Sequence, residues 1–172
     1  MSETDARQPS VPTPTRTLMP EGYGINHATP EGMVEWDTVV EQLTNAHNYW
    51  VCTTRPHGRP HVAPVWGLWL DGAVHFSTDP ASTKGRNLAA NPACVVHLES
   101  GDDVVIVEGV AERITDPAVL GRFADAYEPK YAIRPDPSNP DFGFYRVRHS
   151  VINAWREKDF PTSTTRWHFV NA

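Results

Sequence analysis

The amino-acid sequence predicts a mainly β protein, an antiparallel barrel of six strands with short helices between them. Runs of β-branched and aromatic residues alternate with turn signals such as His57-Gly58-Arg59-Pro60 and Asp71-Gly72. At least six such runs occur, with only two or three short helical stretches and no regular strand-helix-strand alternation. A closed barrel also hides the strand edges that an open sheet would expose. At 172 residues, 40% of them hydrophobic, the chain can bury one core, and neither an internal repeat nor a linker marks a second domain.

Residues 1–20, MSETDARQPSVPTPTRTLMP, are rich in Pro, Ser and Thr and nearly free of aromatics. Such a stretch buries too little apolar surface to offset its ordering entropy, so a disordered tail is expected there and a single domain over 21–172. In PEGMVEWDTVVEQLTNAHN, the spacing of Val39, Val40, Leu43 and Ala46 predicts a helix over about 32–47. Its early acidic residues suit the positive end of the helix dipole. A three-strand meander follows at about 49–55, 61–70 and 73–78. Pro64 cannot donate a ladder hydrogen bond, which predicts a bulge or a free edge around it.

From Ser82, helix formers stand behind a serine cap, and Asn91-Pro92 stops them after about two turns. Strands resume at 93–99 and 104–114 on either side of a turn at Ser100-Gly101-Asp102. A helix is expected over 117–127, where Val119, Leu120, Phe123 and Tyr127 have helical spacing. YAIRPDPSNPDF carries three prolines and reads as an irregular loop. Strands at about 145–155 and 165–170 complete the domain.

A formal net charge of −6 argues against a duplex nucleic-acid binder, which needs a broad basic surface. Cys52 and Cys94 lie in apolar runs outside any Cys-x-x-Cys pair, so both read as small buried hydrophobes. There is no basic start followed by an apolar stretch, and no run approaches the roughly 18 apolar residues of a membrane span. A cytoplasmic protein with no membrane partner is expected. Of the eight histidines, His57 and His61 straddle Gly58 and Pro60, and His75 and His97 fall on different strands. No acidic or cysteine cluster completes a ligand set, so no metal site is expected.

The chemistry concentrates in TDPASTKGRN, residues 78–87. A serine-capped helix starting directly after a strand presents free N–H groups and a positive dipole end, and Lys84 and Arg86 add charge-assisted donors. These residues fit a phosphate site. Taken alone, they fit an ordinary exposed basic helix equally well.

With its flanks the segment resembles the pyridoxamine-phosphate-oxidase-like split-barrel superfamily of flavin and deazaflavin oxidoreductases. The carriers are GRPHVAPVWGLWLDGAVHFST, STKGRNLAANP and VVIVEGVAE. The resemblance implies an FMN-binding type of split β-barrel and a homodimer with the cofactor in a groove between two barrels. It implies Thr78, Ser82, Lys84, Arg86 and Asn87 as phosphate or cofactor-side-chain contacts, with His61, Val62, Ala63, Pro64 and Val65 lining the ring. The Lys-Gly-Arg-Asn spacing, Pro64-Val65-Trp66, and Thr165-Arg166-Trp167 followed by His168-Phe169 look like the branch that uses coenzyme F-420, with FMN as the alternative cofactor. The second-strand pattern of the pyridoxamine phosphate oxidases themselves is replaced here by His61-Val62-Ala63, which speaks against vitamin B6 oxidation.

The implied function is a reductase in which the deazaflavin carries hydride to an unsaturated organic acceptor; the alternatives are an FMN-dependent oxidoreductase and a non-catalytic cofactor or ligand carrier. Because the cofactor does the chemistry, the protein supplies orientation and electrostatics, and no acid or base is assigned. Backbone N–H groups near Pro64 and Val65 are expected to polarise the ring, with His61 or Tyr145 as possible proton sources. Trp50, Trp66 and Trp69 are expected near the groove, mostly as core or interface residues. Arg55 and Arg59 read as a solvated hairpin tip that could meet an anionic cofactor tail.

Overall fold

The computed structural model describes residues 11–170, and along its strands buried and exposed positions alternate as half-buried sheets require. In chain order the elements are α1 (Trp36–Asn45), β1 (Asn48–Thr54), β2 (Pro60–Leu70), β3 (Ala73–Thr78), α2 (Thr83–Ala90), β4 (Ala93–His97), β5 (Asp103–Arg113), α3 (Pro117–Tyr131), β6 (Gly143–Arg156), α4 (Phe160–Ser163) and β7 (Thr165–His168). The seven strands form one sheet in the order β3-β2-β1-β4-β5-β6-β7, and an additional β3–β6 pairing closes six of them into a barrel. Every pairing is antiparallel. The expected six-stranded barrel is therefore present, with β7 attached outside the ring to β6.

Inward-facing Val51, Val74, Phe76, Val96, Val105, Val107, Val147 and Ile152 fill the barrel. Helix α1 adds Val39 and Leu43 to the same core, and the Tyr49 hydroxyl donates to the Leu43 carbonyl. The helix is shorter than expected. Glu35, in extended backbone, stands at its N-cap position, and the Val34 N–H donates to the Thr165 hydroxyl at 2.7 Å. Helix α3 is longer than expected and passes through Pro129, because Phe123, Tyr127 and Tyr131 bury their rings against Leu68 and Phe144. That burial offsets the helix hydrogen bond proline cannot make.

Pro64 introduces no bulge. Register runs unbroken from Asn48↔Trp66 through Trp50↔Pro64 to Thr54↔Pro60. The free-edge alternative is the one realised, because β3 pairs only with Gly67–Leu70 of β2. Residues 60–66 thus have β1 on one side and no strand on the other. The bulge lies elsewhere, at Glu108/Gly109 opposite β6. A Cβ on Gly109 would overlap the Arg148 carbonyl oxygen, so only glycine fits there.

Of the expected tail, residues 1–10 lie outside the described residues. The tail reading fails for the stretch that follows. Thr15 forms a β-bridge with Arg166, and the buried Arg16 guanidinium donates to the carbonyls of Thr29, Glu31, Thr162 and Thr164. These acceptors lie up to 148 positions away in sequence, so local composition carries no sign of them.

Candidate functional site

The first half of β2 leaves β3, and α2, which follows β3, packs beside the opening. The connection is built tightly. The Ser82 hydroxyl caps α2 by accepting from the Gly85 N–H at 3.0 Å and lies 3.2 Å from the Thr78 hydroxyl. Asp79 accepts from the Ala81 N–H at 2.6 Å. A Cβ on Gly85 would lie 2.5 Å from the Asp79 carbonyl and 2.6 Å from that of Pro80, both backbone atoms that cannot swing away. The glycine of Lys-Gly-Arg-Asn lets the loop fold onto the helix start.

Helical phase divides the predicted anion contacts. Lys84, Asn87 and Leu88 turn toward the barrel and are buried, whereas Arg86 is exposed and donates to the carbonyl of Ala81 in its own loop. Lys84 is only 7% exposed, and its ammonium has no hydrogen-bond or ion-pair partner among the described residues. Burial holds that ammonium below its ordinary 10.5. Lys84 is thus not part of an exposed basic face, whereas Arg86 is.

Asn87 connects α2 to the sheet. Its side-chain amide donates at 2.9 Å to the hydroxyl of Thr53 on β1, and that hydroxyl lies 3.4 Å from Nδ1 of His61 on β2. Thr53 and His61 stand opposite each other in the β1–β2 register. Burial, followed by the positive charges of Arg55 and Lys84, holds the His61 imidazole below its ordinary 6.5. Nε of Arg55 is itself buried without a partner among the described residues, while Arg59 is exposed. The charges of Arg55, just after β1, and Lys84, on α2, thus act on His61, which neighbours Thr53, a residue the sequence reading missed. Its only trace in sequence is a polar residue at an inward position of an otherwise apolar strand.

The stretch His61–Val65 does not act as one lining. His61, Ala63 and Val65 are half-buried, with Val65 packed on the core, whereas Val62 and Pro64 are exposed on the opposite face with Trp66. Strand alternation imposes this division. The expected backbone donors near Pro64 also change. Proline has no N–H, which makes Trp50↔Pro64 a pair that exchanges no hydrogen bonds; Val65 then points its N–H at β1, and the N–H groups on the free edge are those of Val62 and Trp66.

Tyr145 is buried and stacks on Phe76 at 5.4 Å, inside the core. Trp167 is likewise core, edge-on to Trp36 at 5.3 Å, and Trp66 lies flat on Tyr131 at 5.0 Å. Cys94 is buried, which pushes its thiol up to about 12, and Cys52 is half-buried.

A family model described as pyridoxamine 5'-phosphate oxidase matches residues 36–156, from the start of α1 to the end of β6. Among solved structures, a conserved hypothetical protein from Mycobacterium tuberculosis is 23% identical with a TM-score of 0.64, over 73% of this chain and 88% of its own. An F420 reductase is 25% identical with a TM-score of 0.55, over 72% of this chain and 98% of its own. A heme binding protein from Mycobacterium smegmatis is 21% identical with a TM-score of 0.57, over 67% of this chain but 50% of its own. No curated protein matches the chain.

Proposed function

Because the chain belongs to the pyridoxamine 5'-phosphate oxidase family, we propose that it is a coenzyme F-420-dependent oxidoreductase that acts as a homodimer on an unsaturated organic substrate. The observation that carries this reading is the buried side chain of Lys84, on the first turn of a serine-capped helix, whose ammonium has no partner among the described residues. Leaving a buried charge unpaired is costly unless an anion meets it. The family membership supports the phosphate of a cofactor as that anion. The likeness to an F420 reductase along nearly that protein's whole length supports the deazaflavin over FMN.

The residues present fit such a group. Lys84 and Arg55 supply positive charge, Ser82 and Thr78 supply hydroxyls, and the start of α2 supplies backbone N–H groups. When bound, the deazaflavin supplies hydride transfer. The chain positions it: α2 anchors the phosphate end, and the free edge of β2 offers the Val62 and Trp66 N–H groups and a half-buried apolar wall from Ala63 and Val65. Arg86 acts indirectly, by holding the Ala81 carbonyl of the loop.

A second copy completes the site in this reading. The outer face of β2 and β1 leaves Val62 50% and Trp66 41% exposed, next to Pro64. Beside them a shallow groove of about 610 Å³ is lined by Cys52, Thr54, Pro60, Val95 and Val110. The groove also carries Glu108, Arg148 and Ser150, so this face combines exposed apolar residues with polar ones, as interfaces do, and a second barrel laid on it would exclude water from the free edge.

The test is a side-by-side fluorescence titration of the purified protein with coenzyme F-420 and with FMN. The expected result is tighter binding of F-420 and a colourless protein as purified. A yellow preparation with a flavin spectrum would replace the deazaflavin by FMN, and binding of neither would refute the site.

A further inference from the structure

The network around Thr53 has a chemical consequence that follows from counting hydrogens. A threonine hydroxyl has one proton to give and two lone pairs. Thr53 is 4% exposed, and Asn87 Nδ2 donates into its oxygen at 2.9 Å. A buried hydroxyl needs an acceptor for its own proton, and among the described residues the one within reach is His61 Nδ1 at 3.4 Å. A ring nitrogen that accepts a hydrogen bond must present a lone pair, so in the neutral imidazole the proton sits on the other nitrogen. The contact is long in the free protein, as catalytic hydrogen bonds often are before a ligand tightens them.

We propose that Thr53 is a positioning residue that fixes His61 as the neutral tautomer carrying its proton on Nε2, so that His61 meets the bound anion or the ring as a hydrogen-bond donor. The charged groups that act on the imidazole are Arg55, in the turn after β1, and Lys84 on α2, and both oppose a second proton on the ring. His61 stays neutral at physiological pH without losing its donor, because Thr53 has already decided which nitrogen holds the proton. A substitution at Thr53 would leave the histidine in place and scramble its direction of donation. The tautomer claim rests only on residues of this chain, while the identity of what Nε2 donates to rests on the cofactor reading above.

The experiment reads the tautomer directly, by two-bond ¹⁵N–¹H correlation spectra of the labelled, cofactor-free protein at pH 8. The His61 signals are identified by their loss in His61→Asn. The wild type is expected to show an acceptor-type Nδ1 and a protonated Nε2. In Thr53→Val, nearly the same shape without the hydroxyl, the ratio of Nε2-protonated to Nδ1-protonated ring should fall about fivefold, the factor supplied by one neutral hydrogen bond of about 1 kcal/mol. Thr53→Ser should restore it.

A wild-type spectrum with the proton on Nδ1 would overturn the proposal even if Thr53→Val failed to fold, and so would an unchanged ratio in a folded Thr53→Val. No cofactor enters the measurement. Failure of F-420 to bind would therefore leave this result standing, and failure here would leave the phosphate site standing.

Discussion

Replacing Lys84 by methionine should push stability and binding in opposite directions. Lys84 is 7% exposed, and its ammonium has no partner among the described residues. An unsatisfied buried polar group costs about 1 to 3 kcal/mol. Methionine is unbranched, of similar length and free of that cost. Lys84→Met should thus stabilise the ligand-free protein by about 1 to 2 kcal/mol, a rise in Tm of about 2 to 8 °C for a domain of this size. The same change removes a charge-assisted bond to the anion worth about 1.5 to 3 kcal/mol, which weakens cofactor binding about 10- to 150-fold. Because burial lowers the folded-state midpoint of the ammonium, the penalty in the wild type is complete below that midpoint and fades as pH rises through it toward 10.5. The stability gap between variant and parent should narrow over the same range. Thermal unfolding with and without cofactor, together with fluorescence titration, measures all three quantities. A Lys84→Met protein that is less stable than the parent and binds equally well would refute the reasoning.

The remaining predictions address the acid limb, the loop and the interface. Burial pushes His149 down to about 4, and its Nδ1 has no partner among the described residues. Neutral His149 therefore adds stability that is fully present above 6.5 and is lost as pH falls toward 4, on the order of 3 kcal/mol in all. His149→Phe should flatten that part of a urea-midpoint series against pH; an unchanged acid limb would show that another group controls it. Gly85→Ala forces a Cβ to within 2.5 Å of a carbonyl oxygen, so it should cost about 1 to 3 kcal/mol in urea unfolding and weaken cofactor binding beyond Arg86→Ala. Trp66→Glu, on the exposed outer face of β2, should leave the far-ultraviolet circular dichroism intact and convert the dimer to a monomer by sedimentation. A variant that still sediments as a dimer would place the interface elsewhere.

The legible part of this protein is the part set by neighbours in sequence. The meander, the serine cap and the Asn91-Pro92 stop were all readable, because turn chemistry and alternation act over a few residues. The grouping of Lys84 and Asn87 apart from Arg86 was also available in principle, since a helix of 3.6 residues per turn cannot face all three one way. What could not be read depends on register. Thr53 meets His61 only because seven pairs align β1 with β2, and a slip of one residue would put a different side chain opposite the histidine. The docking of Arg16 and the extension of α3 through Pro129 had the same cause, namely partners supplied by distant strands.

The chain treats its cations in more than one way. Arg16 is buried, and every nitrogen of its guanidinium finds a carbonyl. Arg156 pairs with Asp159 through two nitrogens and donates to the Gly32 carbonyl at 2.9 Å. The fold thus satisfies these two arginines within the chain, although Nε of Arg166 is also buried without a partner among the described residues. Around Thr53 it does the reverse: the Lys84 ammonium and Arg55 Nε go without partners among the described residues, and His61 is held neutral beside them. Each of these features destabilises the free protein, and they come from three different elements. In the proposed reading, one ligand of negative charge would relieve all three at once, and the strain they impose would favour its binding.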